Sequence, residues 1–247
     1  MIKTGKRQAG CGSNWFESSA YDWMIRLAIV LVFTFLILAN VNGTIQAAVN
    51  WKQQALDHTL LNMAARVSSA LFLALAAVTT LTRLPPIRKA AGIEPRISAL
   101  LGTFLLTSLA MLPRAEFAPI SLAISSVLVI AGMAASFVVL RWLGKAFSIM
   151  AEARQLIMHG PYAFVRHPLY ICEEVAVIGV FMQVISPLAL IILIAHAFFQ
   201  FRRMLNEERI LQATFAEYES YAKRTPRLIP RSWVGWIPTS TPIEVTR

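Results

Sequence analysis

Side chains able to do chemistry gather in two short stretches on either side of an apolar interval. The first, GPYAFVRHPLYICEE at 160–174, holds Arg166, His167, Pro168 and Tyr170. The second, RRMLNEERILQATFAEYESYAKRTPRLIP at 202–230, holds Arg203, Glu207 and Glu208. Proline fixes φ and lacks an N–H, so Pro168 suits the first turn of a helix, with His167 just outside it. Uncapped backbone N–H groups at such a start favour a negative ligand group. In the second stretch, at about 100° per residue, Arg203, Glu207, Leu211, Phe215 and Tyr218 share one helical face, with Glu208 at its edge. Arginine four residues before glutamate is the weaker order for helix support, so Arg203 and Glu207 ask for another explanation. An arginine can grip a carboxylate, and a histidine or glutamate can move a proton. No nucleophile with its base, triad or metal-ligand set is evident, and no metal is expected.

The elements that must position these groups are apolar. The chain has 247 residues, 57% hydrophobic and 15% charged, with a mean hydropathy of +0.59. Soluble domains carry nearer a quarter charged residues, so an integral membrane protein is expected. Apolar blocks fall at 27–41, 67–82, 97–112, 119–140, 170–185 and 187–201. They predict an all-α polytopic transmembrane bundle of five to six spans, with a cytoplasmic C-terminal helical region. Residues 1–22 read as a tail, 23–140 as transmembrane scaffold, 141–231 as the catalytic region and 232–247 as a second tail. The last two blocks meet at Ser186 and Pro187, which predicts a tight helical hairpin. Its two wet ends, His167 with Tyr170 and Arg203 with Glu207, would then emerge side by side.

Of 23 lysines and arginines, only Lys52 and Arg114 fall on one side of this six-block arrangement. Arg26 and Arg66 lie at span ends, where they are expected to snorkel. The positive-inside rule puts both termini and the polar stretches in the cytoplasm. The net charge of +10 is then a topological signal with affinity for anionic membrane lipids, and its scatter over four segments excludes a nucleic-acid platform. Cys11 and Cys172 sit on the reducing side, where no disulfide is expected. The first block reads as an uncleaved anchor. The proline-rich connector TRLPPIRKAAGIEPR reads as a loop without a site.

GPYAFVRHPLY, with the upstream LGKAFSI and QLIMHG and the downstream RMLNEERILQATFAEYESYAKRTPRLIP, resembles the isoprenylcysteine carboxyl methyltransferase and phospholipid methyltransferase group of integral membrane enzymes. The likeness covers roughly residues 141–231. It implies S-adenosyl-L-methionine as cofactor, in a cytoplasm-facing pocket partly capped by C-terminal segments, and a lipid-like or prenylated acceptor. Carried over by residue, it implies cofactor contacts from Arg154, Gln155, Leu156 and Ile157, from Tyr162, from His167, Pro168, Leu169 and Tyr170, and from Glu207. Arg203 corresponds to the arginine assigned to the acceptor. Cys172 and Ala216 depart from the pattern, which has glycine at both positions.

Methyl transfer from a sulfonium is an in-line displacement that needs alignment and dryness more than proton chemistry. With a carboxylate acceptor no base is required, and Arg203 and Glu207 are the expected catalytic pair. With an amine acceptor, as in phospholipid headgroup N-methylation, His167 or Glu207 becomes the base. The reading from another class is a non-catalytic membrane binding protein. Oligomeric state has no signature in the sequence.

Overall fold

The computed structural model of the protein describes residues 19–50, 56–113 and 119–230. Cys11, Lys52, Arg114 and the 232–247 tail lie outside the described residues. Among the described residues seven α-helices follow one another: α1 Ser19–Val49, α2 Leu56–Thr82, α3 Glu94–Phe104, α4 Pro119–Leu143, α5 Pro168–Met182, α6 Pro187–Gln212 and α7 Tyr218–Arg224. The architecture is an all-α membrane bundle. Among the described residues, α1, α2, α4 and α6 are long and apolar enough to cross a membrane. The remaining two expected spans are short. α3 passes at Leu105 into a tighter 3₁₀ winding that ends at Met111, and α5 has 15 residues, which is about 22 Å against a hydrocarbon layer of about 30 Å.

Local chemistry sets the ends of the hairpin. Pro168 and Pro187 occupy first-turn positions. Ser186 caps α6, its hydroxyl accepting the Ala189 N–H at 3.1 Å. The turn between the helices is tight, as expected, but the helices themselves part. α5 packs chiefly on α4, and α6 chiefly on α3. A lipid-exposed helix gains nothing hydrophobic by pairing with its sequence neighbour, so close packing elsewhere decides.

The main core sits at the end of the bundle that carries residues 144–167. It joins Ile29 and Phe33 of α1, Phe72 and Ala76 of α2, and Leu140 of α4 to Ile149, Ile157 and Leu169. Gly144, with φ +51°, ends α4 in a conformation that side chains resist. The chain then forms β2, Glu152–Ala153, which pairs antiparallel with β1, Arg88–Lys89. Hydrogen bonds from Leu84 to Lys145 and from Ala90 to Ala151 extend the contact. The proline-rich connector therefore braces the segment that follows α4.

Arg26 does not snorkel. It is buried, donates to the carbonyls of Leu81 and Arg83 at 3.0 and 3.1 Å, and pairs with Asp22 at 2.6 Å. Helix-end carbonyls and a carboxylate satisfy it locally, which leaves no reason to seek the interface.

Candidate active site

The start of α5 and the end of α6 meet at a solvent-open cavity. Of the residues picked from the sequence, Gln155, Leu156, Ile157, Tyr162, His167, Leu169, Tyr170, Arg203 and Glu207 line it. Tyr170 Oη donates to Glu207 Oε1 at 2.6 Å. The Arg203 guanidinium lies 5.0 Å from the centroid of the Tyr170 ring, and its Nη1 donates to Thr103 Oγ1 at 3.0 Å. Arg203 Nε stands 3.5 Å from Glu207 Oε1, close enough for an ion pair, yet it makes no hydrogen bond among the described residues. A buried donor with unused capacity faces this site.

Two of the picked residues do not line the cavity. Arg154 is turned behind the wall, where its guanidinium pairs with Glu152 and lies 3.7 Å from Asp22. Two carboxylates hold it there more strongly than an open cleft would. Pro168 serves the backbone at the start of α5. Two N–H groups just before the first turn of α5 are already paired. The Arg166 N–H donates to the Pro226 carbonyl at 2.8 Å, and the His167 N–H to that of Arg227 at 3.1 Å. The C-terminal segment thus occupies these two donors beside the start of α5.

The expected continuous face from Arg203 to Tyr218 is broken as well. α6 stops at Gln212; the Thr214 hydroxyl donates to the Ile210 carbonyl, and Arg88 donates to that of Ala213. These bonds satisfy helix-end acceptors and let the chain turn. Leu211 and Tyr218 still reach the cavity, but Phe215 does not.

Sequence reasoning missed three contributors. Glu208, placed only at the edge of the polar face, is a hub: its carboxylate takes Arg166 at 2.9 Å, His167 Nε2 at 3.0 Å and Arg227 at 2.8 Å. It pins the C-terminal segment over the start of α5. Glu152 brings a carboxylate to the cavity from β2, held by Ser148 Oγ at 2.9 Å. Tyr221 lines the cavity and donates to the Tyr162 carbonyl at 2.7 Å. The cluster of charges in 202–227 was the one signal that might have pointed to Glu208 and Arg227.

Burial pushes the Tyr162 and Tyr221 hydroxyls well above their ordinary range, and that of Tyr218 up to about 12. Nearby carboxylates add to the effect. All three stay protonated near neutrality and do not serve as bases.

A second cavity lies within the bundle, between the separated α5 and α6 and the aromatic side chains of Phe33, Phe72 and Phe104. Phe147 and Arg203 stand in the walls of both cavities. A group entering from the apolar side and one entering from solvent would meet at Arg203.

Residues 114–218 match the phospholipid methyltransferase family. Over 81 residues the chain is 36% identical to the nickel-cobalt-cadmium resistance protein NccN of Alcaligenes xylosoxydans xylosoxydans, a match covering 32% of this chain and 38% of that protein. Over 77 residues it is 34% identical to the cobalt-zinc-cadmium resistance protein CzcN of Cupriavidus metallidurans, covering 31% of this chain and 36% of the relative. The chain thus spans little more than a third of the length of these relatives. The family match, spanning α4 to the start of α7, coincides with the elements that build the solvent-open cavity. On those residues, the 114–218 part of this membrane protein is similar to the phospholipid methyltransferase family.

Proposed function

We propose that the protein is an S-adenosyl-L-methionine-dependent membrane methyltransferase that methylates a carboxylate on a lipidated or hydrophobic acceptor. The observation that carries this is the position of Arg203, a buried cation with one unused donor at the junction of a polar and an apolar cavity.

The polar cavity suits the cofactor by its donor set. Glu207 and Glu152 offer carboxylates to its cationic and hydroxyl groups, and Tyr162 and His167 offer ring faces and edges. Leu156, Ile157 and Leu211 provide apolar wall for the base. When bound, the cofactor supplies a methyl group activated on a positively charged sulfur. The protein's share is alignment. Arg203 holds the acceptor carboxylate, Tyr170 and Glu207 fix the arginine, and the lid formed by α7 and residues 225–227 narrows the access of water. A carboxylate is already ionised at neutral pH, so no residue need move a proton.

Binding tests the first step: calorimetry with S-adenosylhomocysteine on the folded, purified protein should show micromolar affinity that falls on His167→Ala. Folded protein that binds none at millimolar ligand favours the non-catalytic binding protein instead. Labelled methyl transfer into a total lipid extract then identifies the acceptor.

One observation favours N-methylation of an amine headgroup as a second reading. Glu173 and Glu207 both lie around Arg203, so the junction sets two carboxyl groups beside one guanidinium. An amine must lose its proton, whereas a carboxylate need not. A pH–rate profile that rises through neutrality supports the amine, and a flat one the carboxylate.

A further inference from the structure

The apolar cavity has a polar wall that the reading above leaves unused. On α6, His196, Gln200, Arg203 and Glu207 follow at intervals of four, three and four residues, which makes one stripe descending from the solvent-open cavity into the bundle. α5 meets the stripe with two carboxylates. Gln200 Nε2 donates to Glu173 Oε2 at 3.3 Å, and His196 Nε2 lies 2.9 Å from Glu174 Oε1. His196 and Gln200 are 2% and 7% exposed, so both qualify as deeply buried. Both line the apolar cavity. His196 Nδ1 and Gln200 Oε1 are nevertheless without a hydrogen-bond partner among the described residues.

The neighbours decide what these two atoms can do. A carboxylate only accepts, so Glu174 fixes His196 as the Nε2–H tautomer and leaves Nδ1 a lone pair. Gln200 spends its amide nitrogen on Glu173 and is left with its carbonyl. Both unused atoms are therefore acceptors. Their complement is a donor, a hydroxyl or an amine N–H; an ester or ether oxygen would set lone pair against lone pair. Such groups are rarely left unpaired inside a protein, and less so at membrane depth. Gly102 of α3 makes room here, since a Cβ at that position would stand 3.1 Å from Gln200 Oε1.

We propose that the apolar cavity is a subsite for an amphiphile bearing a hydroxyl or amine within its chain, held by His196 Nδ1 and Gln200 Oε1. The seven residues from Arg203 to His196 set that group about 10 Å deeper than the head group. The proposal rests on the acceptor reading for the head group's position and narrows its substrate class: the chain is functionalised, not a plain prenyl or acyl tail.

Native mass spectrometry of the full-length protein, released from detergent, tests this by competition. The probes are stearic acid and octadecylamine, each offered as an equimolar mixture with its mid-chain hydroxylated counterpart. For at least one head group the hydroxylated form should be bound about tenfold over the plain one, the worth of one hydrogen bond. The ratio should fall to near unity in His196→Leu and in the near-isosteric Gln200→Met. S-Adenosylhomocysteine affinity of the same variants reports that they are folded. Equal occupancy by plain and hydroxylated forms in the wild type, an undiminished preference in both variants, or binding of none of the four probes overturns the subsite. A hydroxyl preference in protein that binds no S-adenosylhomocysteine would leave the subsite standing and sink the methyltransferase reading.

Discussion

Against α4, helix α5 lies so close that a Cβ at Gly132 would stand 2.5 Å from the Ala176 nitrogen, and one at Gly179 would stand 2.7 Å from the Ser125 carbonyl. Ser125 Oγ donates to the Gly179 carbonyl at 2.9 Å and accepts from Gln183 Nε2 at 2.8 Å. On its other side, α5 stands off from α6: a cavity lined by Val177 and Val180 opens there, bridged by the contacts of Glu173 with Gln200 and of Glu174 with His196. The contrast shows how a membrane bundle keeps space inside itself. Lipid gives helices no hydrophobic reason to associate, so a helix must be held by close backbone contact on one face before the other can remain open. α5 is tied to α4 so that the polar groups at its start, and the cavity wall below them, have a fixed position.

The largest expected effect comes from breaking the close face. Gly132→Val would put branched carbon into the α5 backbone, where nothing flexible can yield, at a cost of about 3 kcal/mol. Thermal unfolding in detergent should show a markedly lowered midpoint. A midpoint unchanged from wild type would mean that the α4–α5 contact does not hold the structure together. Next comes the lid over the open face. Glu208→Ala leaves Arg166, His167 and Arg227 without their shared carboxylate. The loss should be about 2 kcal/mol, below the figure for a wholly buried pair because Arg227 is 44% exposed. Faster proteolysis around residues 225–230, together with weaker S-adenosylhomocysteine binding, would show that this carboxylate secures the lid.

A smaller effect, confined to function, is expected at the junction of the cavities. Arg203→Ala should lower kcat/KM for the acceptor about tenfold or more while leaving S-adenosylhomocysteine affinity within about threefold, a difference near 1.4 kcal/mol in acceptor use alone. Equal losses of both would place Arg203 in the cofactor wall and remove the distinction between the two cavities.

Much of this arrangement was legible because proline and charge leave local signatures. Pro168 and Pro187 mark helix starts through their fixed φ, and Arg203 with Glu207 one turn apart on an apolar helix stands out in any reading. The bundle was legible from hydropathy, though its helices run longer than the apolar blocks: the 27–41 block became Ser19–Val49, because Asp22 and Arg26 find partners inside the fold and let the helix continue past them. What the sequence concealed depends on contacts far apart in the chain. The ladder between Arg88–Lys89 and Glu152–Ala153 is too short to show any periodicity, so nothing local marks Glu152. Glu207 and Glu208 are adjacent, and nothing local tells which turns to Tyr170 and Arg203 and which to His167 and Arg227. The end of α6 at Gln212 follows from Arg88 reaching the Ala213 carbonyl, again a distant partner.

The smallest predicted effect sharpens the picture of the lid. Tyr218 Oη accepts from Arg166 Nη1 at 3.4 Å, and burial, with the Glu208 charge behind it, raises the hydroxyl from an ordinary 10 to about 12. The folded state thus favours the neutral phenol. Its contribution to stability is complete below about pH 10 and is lost as pH rises from there through about 12, since the unfolded chain sheds that proton first. Wild-type protein should therefore lose stability over this alkaline window more steeply than Tyr218→Phe, whose ring keeps the packing and cannot ionise. Chemical denaturation at successive pH values in detergent would show the two curves separating only above pH 10. The same slope in both proteins would mean that α7 does not bury Tyr218 against the Glu208 cluster, and that the open face of α5 lacks the dry cover the methyl-transfer reading needs.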